Sequence, residues 1–138
     1  MHHGLTFAGV TMQAMARGAI ETMVGVVRDE TFGPLVGFGL GGTEVELLGD
    51  MQFGLAPLSD RDVADVIERS RAHVLIGGYR GRPPADRDAL NELLLRVSAL
   101  ADAVPELLEL DLNPVMVMPA GLGVRLVDVR IKVAPPRS

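Results

Sequence analysis

The sequence has no cysteine, and aromatic residues make up only 4% of it. The first absence excludes disulfides, thiolate metal sites and a cysteine nucleophile. The second means that any core must be aliphatic, built from the Leu, Val, Ala and Met that dominate the 48% hydrophobic fraction. Lysine is scarce as well: Lys132 stands alone, and the rest of the 13 basic residues are arginines. The net charge is −5 and no basic run interrupts the acidic balance, so nucleic acid is not an expected partner. No apolar stretch approaches the roughly 20 residues of a membrane span, so no membrane partner is expected. No signal-peptide pattern opens the chain either, and the cytoplasm is the expected compartment.

What remains is a chain of 138 residues, long enough for one domain with its own core. Residues 1–8, opening Met1-His2-His3, read as a disordered or tag-like start, and residues 134–138 as a tail. Thr6 to Ala16 reads as a strand. Ile20 to Val27 is a second, with Ile20, Thr22, Val24 and Val26 on one face and Glu21, Met23, Gly25 and Val27 on the other, a period of two rich in β-branched residues. Thr43–Leu48 and Met51–Pro57 continue the strand series. Ser59 followed by Asp62 is a capping box, opening a helix whose stripe is Val63, Val66 and Ile67. Asp86 to Val104 is the longest helix, with Leu90, Leu93, Leu94, Val97, Leu100, Ala101 and Val104 as its core stripe. Strands and helices come in runs, which predicts an α+β domain with helices packed on one face of a largely antiparallel sheet.

Three features carry candidate chemistry with an ordinary alternative beside each. Glu21 is a carboxylate on an otherwise apolar strand face, either a ligand contact or a solvated edge charge. After the loop Arg28–Pro34, the run Leu35–Gly42 has glycines at 37, 39, 41 and 42. Such a run lets backbone approach a phosphate, or simply allows tight packing. Its spacing is not the dinucleotide fingerprint and no helix follows it. His73 lacks a second histidine and reads as structural, while Arg80 and Arg82 either meet an anion or dock their own loop.

The most informative stretch is a hairpin. Leu110-Asp111-Leu112-Asn113-Pro114 opens it, Pro119-Ala120-Gly121-Leu122 has the composition of a four-residue loop, and Leu126-Val127-Asp128-Val129-Arg130 closes it. Alternation puts Asp111 and Asn113 on one face, with Leu110, Leu112 and Pro114 on the other. Pairing Met118 with Gly123 places Asn113 across from Asp128 and Asp111 across from Arg130. Two oxygen donors then converge, beside a cross-strand ion pair. That suits magnesium, which is usually held by one or two protein groups together with substrate phosphates. The alternative is a polar face on a surface hairpin, since a slip of one residue would turn Asp128 away.

Six motifs then follow one another in a familiar order. They are Gly25-Val26-Val27-Arg28-Asp29, Thr31-Phe32-Gly33-Pro34, Phe38-Gly39-Leu40-Gly41-Gly42, Leu55-Ala56-Pro57-Leu58, Gly78-Tyr79-Arg80-Gly81-Arg82-Pro83-Pro84 and Leu110-Asp111-Leu112-Asn113-Pro114. In this order the chain resembles the NDP-forming (ADP-forming) acyl-CoA synthetases, relatives of the succinyl-CoA synthetase beta subunit, whose ATP-grasp region also occurs fused to lysine acetyltransferases. The resemblance covers residues 9–133 and points to the C-terminal subdomain of the ATP-grasp domain. It implies Asn113 and Asp128 as the protein ligands of nucleotide-bound magnesium, and Asp111 as the acidic residue that helps hold a phosphohistidine. It also implies Glu21 on the strand beside ATP or ADP, Met12 and Gln13 at the border of adenine, and Gly39, Gly41 and Gly42 near the transferring phosphate.

The resemblance implies as partners an N-terminal ATP-grasp half and CoA-binding domains, in the same parent chain or another subunit. Without them the fragment is expected to bind nucleotide weakly and not to turn over. Two other readings stand beside this one. The fold can serve as a non-catalytic regulatory or oligomerisation domain, for example next to an acetyltransferase, or as a stand-alone protein that forms a homodimer through the face the other half would cover.

Overall fold

The computed structural model describes residues 18–41, 50–78 and 81–135. The strand expected at Thr6–Ala16 and the segment Thr43–Leu48 lie outside them. Strand β1 (Ile20–Asp29) buries Ile20, Thr22, Val24 and Val26, the alternation read from sequence. The one hydroxyl on that face is satisfied, since Thr22 Oγ1 donates to the Val115 carbonyl at 2.8 Å. Asp29 Oδ1 accepts the amides of Thr31 and Phe32 at 2.7 and 2.9 Å, an Asx turn that sends the chain back as β2 (Gly33–Leu40). Much of the expected loop and glycine run is therefore strand. Then come β3 (Gln52–Leu55), helices α1 (Asp60–Arg69), α2 (Ala72–Ile76) and α3 (Arg87–Ala103), and strands β4 (Leu107–Val117), β5 (Val124–Leu126) and β6 (Val129–Val133).

The sheet runs β3-β2-β1-β4-β5, with β6 also on β4. Every pairing is antiparallel. Ser59 and Asp62 form the capping box of α1, whose buried residues are Val63, Val66 and Ile67. These pack with Leu90, Leu94, Val97 and Ala101 of α3 over Val24, Val26, Val36, Phe38, Leu110 and Leu112. Burying each such side chain is worth about 1.5–3 kcal/mol, so the helix-bearing face holds the domain together. The stripe of α3 differs from expectation at one place. Leu100 is 44% exposed and Ser98 is buried instead. Residues 90, 94, 97 and 101 enclose position 98 on a helical wheel, and the Ser98 hydroxyl accepts the Leu58 amide at 2.6 Å.

A second difference lies in β4. Thr22 pairs Val115 while Val24 pairs Leu112, so Met23 alone faces both Asn113 and Pro114. This is a β-bulge, and the Asn113–Pro114 peptide within it is cis. Before it Leu107, Leu110 and Leu112 are buried in the core; after it Val115, Met116 and Val117 are all buried, and of these Val115 and Val117 join the core beneath the helices. Pro114 therefore does not continue the face of Leu110 and Leu112, because the extra residue switches the phase.

Candidate functional site

The hairpin that follows the bulge keeps the expected register. Val117 pairs Val124, Val115 pairs Leu126, Leu112 pairs Val129 and Asp111 pairs Arg130. Met118 N–H donates to the Gly123 carbonyl at 3.0 Å, and Asn113 N–H to the Asp128 carbonyl at 3.2 Å. Asn113 and Asp128 thus sit opposite each other. The turn is held from a distant point. Asp86 Oδ2 accepts the amides of Gly121 and Gly123 at 3.0 and 2.8 Å, while its Oδ1 caps α3 through Ala89 N–H at 3.1 Å. Gly121 and Gly123 have φ of 88° and 84°, a region that glycine enters without strain. Hydrogen bonds from Ala89, Gly123 and Gly121 hold the Asp86 carboxyl below the usual range, against a small opposing effect of burial.

Asn113 Oδ1 is buried and has no hydrogen-bond partner. Leaving a buried acceptor unmet costs about 1–3 kcal/mol, a cost that a bound cation or donor would relieve. Asp128 stands opposite, half open to solvent, with its Oδ2 3.6 Å from Arg130 Nε. Arg130 therefore pairs with Asp128 two residues before it, not across the ladder to Asp111 as the sequence suggested. Among the described residues no three His, Cys, Asp or Glu side chains gather into a metal set. An amide oxygen and a carboxylate are donors of the kind a hard cation takes when waters and phosphate supply its other ligands.

Register also locates the other candidates. Gly25 pairs Asp111 and Glu21 pairs Met116, and opposed residues share a face. Glu21 and Asp111 therefore lie with Asn113 and Asp128 on the face turned away from the helices. Met23 pairs Gly39, so Gly39 stands on the same face, two strands from Asn113 at roughly 10 Å by strand spacing. A Cβ on Gly39 would come within 3.1 Å of the Asp50 carbonyl and Met51 Sδ. One on Gly41 would meet the Thr22 backbone, and the Gly41 amide donates to the Glu21 carbonyl at 3.0 Å. Both glycines are thus required by close packing. Met12, Gln13, Gly42 and Arg80 lie outside the described residues. His73 is structural as expected, its Nδ1 lying 2.8 Å from the Ser70 carbonyl.

Three supporting residues were not singled out from sequence. Asp86 is one. Arg28 is the second: it donates from Nε to the Leu107 carbonyl at 2.9 Å and from Nη2 to those of Ala101 and Val104 at 3.0 and 3.1 Å, closing the C-terminal end of α3. Buried Asp50 is the third, accepting from Leu40 N–H, Ser70 Oγ and Arg71 N–H. Burial pushes its carboxyl up, but these bonds and the Arg71 charge more than offset that and leave it lowered. An N-cap position is a weak sequence signal for Asp86; Arg28 and Asp50 have none.

A family model described as the ATP-grasp domain matches residues 2–133. The chain is 46% identical over 123 residues to the ADP-forming acetate–CoA ligase I of Archaeoglobus fulgidus, covering 89% of this chain and 18% of that one. It is 40% identical over 124 residues to the beta subunit of ADP-forming acetate–CoA ligase II of Pyrococcus furiosus, covering 89% of this chain and 52% of the subunit. Among solved structures it resembles dinucleotide-forming acetyl-coenzyme A synthetase 1 of Ca. Korarchaeum cryptofilum, with a TM-score of 0.79, 41% identity, and coverage of 83% of this chain and 53% of that one. That protein was solved with coenzyme A and Mg-AMPPCP, its phosphohistidine segment pointing towards the nucleotide binding site. The chain thus spans about half of the beta subunit and less than a fifth of the longer ligase. Among the described residues no helix is long and apolar enough to cross a membrane.

Proposed function

The chain belongs to the ATP-grasp domain family, and from that premise we propose that it is the nucleotide- and magnesium-binding half of the clamp in an ADP-forming acyl-CoA synthetase. The whole enzyme would convert acyl-CoA, ADP and phosphate into acid, ATP and CoA through a phosphohistidine. The observation that carries this reading is the buried, unpartnered Oδ1 of Asn113, on a residue whose ladder partner is Asp128.

In this reading Asn113 and Asp128 hold the cation by its protein side. Bound there, the metal supplies charge neutralisation to the nucleotide phosphates. Asp111, on the same face, orients the phosphohistidine. Glu21 is assigned to the nucleoside side, and the family resemblance assigns Met12 and Gln13 there as well. Gly39, Gly41 and Gly42 contribute backbone near the transferring phosphate; for Gly39 and Gly41 neighbours already fill the space of a side chain. The other half of the clamp and the CoA-binding domains come from polypeptide outside this sequence, consistent with the longer relatives. Because phosphoryl transfer depends on positioning and neutralisation from several sides, this chain alone binds Mg-ADP weakly and does not turn over.

Calorimetric titration with Mg-ADP tests the proposal. Wild type gives saturable heat, and Asn113→Ala combined with Asp128→Ala abolishes it. Equal binding by both proteins, or none by wild type, refutes it.

A further inference from the structure

The Arg130 side chain is 79% exposed, yet it sits among groups of the opposite sign. Its Nε is 3.6 Å from Asp128 Oδ2, and the ladder sets it directly opposite Asp111. By register Asn113, with its buried and unpartnered carbonyl, belongs to the same face. A divalent ion that uses Asp128 therefore competes with Arg130 for one carboxylate, and at separations of about 4–6 Å the two cations repel each other. An exposed ion pair is weakly held, and its partner here is an arginine, whose planar fork of N–H groups matches phosphate oxygens.

Resting on the reading of Asn113 and Asp128 as the metal pair, we infer that Arg130 is an exchange cation: it gives up Asp128 to the divalent ion and turns to the polyphosphate that arrives with it. Arg130 thus lowers affinity for the bare ion and raises affinity for the ion–nucleotide complex, which selects for metal delivered on nucleotide. Lys132, the next cation on β6, stands opposite Glu109 and is further along the ladder from Asp128.

The two effects have opposite signs, which makes them separable. Free Mn2+ measured by electron paramagnetic resonance reports binding of the ion alone, and calorimetry reports Mg-ADP. A unit charge acting on a dication a few ångströms away in water, partly screened by salt, corresponds to about a threefold to tenfold change. Arg130→Gln is expected to tighten Mn2+ binding by that factor and to weaken Mg-ADP binding by a similar one. Arg130→Lys keeps the charge but loses the fork, so it returns Mn2+ affinity to the wild-type value and recovers Mg-ADP binding only in part. Both constants unchanged in Arg130→Gln, or both moving in one direction, overturn the inference. If wild type binds Mg-ADP and Asp128→Ala does not, while Arg130→Gln matches wild type, the metal-pair reading stands and the role of Arg130 falls. If wild type binds neither probe, both fall together.

Discussion

Replacing Asp86 separates the clamp on the hairpin turn from the cap on the helix. The carboxylate uses Oδ1 for Ala89 N–H at the start of α3 and Oδ2 for the amides of Gly121 and Gly123. In Asp86→Asn one oxygen remains. Asparagine caps helices as well as aspartate does, so α3 keeps its cap while an NH2 group meets the two glycine donors. Losing two bonds of about 0.5–1.5 kcal/mol each predicts a cost of about 1–3 kcal/mol. Asp86→Ala loses the cap as well, adding about 1 kcal/mol. For a domain of this size each kcal/mol lowers the melting temperature by about 3–5 °C. The sign of the pH dependence follows from the depressed carboxyl of Asp86. Its contribution is complete above the unfolded value of about 3.9 and is lost as pH falls through the lower folded value. Denaturant unfolding followed by circular dichroism at neutral and acid pH therefore finds wild type ahead of Asp86→Asn at neutral pH, and the gap closing in acid. A gap under about 0.5 kcal/mol at neutral pH, below what losing even one such bond predicts, or one that persists unchanged in acid, refutes the assignment.

Arg28→Ala strips a cation from the carbonyls of Ala101, Val104 and Leu107; it is expected to cost about 2–4 kcal/mol, with Arg28→Lys recovering less than half because an ammonium cannot span the three acceptors. Urea unfolding of the three proteins checks this, and equal stability of the lysine variant and wild type contradicts it. Asn113→Ala removes a buried acceptor that no protein group satisfies, so without magnesium it is expected to melt no lower than wild type; a loss of several degrees would mean that the side chain is held by the fold and not kept for a ligand.

Local chemistry made much of this domain legible in its sequence. The capping box at Ser59 and Asp62, the alternation of β1, and the hairpin register all follow from neighbours a few residues apart. The register in particular needs only a four-residue loop and the side-chain period of two, and it brought Asn113 opposite Asp128. The glycine run was ambiguous for a physical reason. A glycine demanded by a neighbouring strand and one demanded by a phosphate are the same residue, and only the positions of Asp50, Met51 and Thr22 show which atoms crowd Gly39 and Gly41.

Tertiary structure decided the rest. The bulge at Asn113 and Pro114 depends on how β4 meets β1, a strand distant in the chain, and it moves the core face from Leu112 to Val115. Arg28 reaches carbonyls 73 to 79 residues away, and Asp86 grips a turn 35 to 37 residues on. Whether the Arg130 side chain turns to Asp111 or to Asp128 is likewise settled by side-chain placement that the one register leaves open. Periodicity records which way a side chain points, whereas the partner it finds depends on where distant backbone comes to rest.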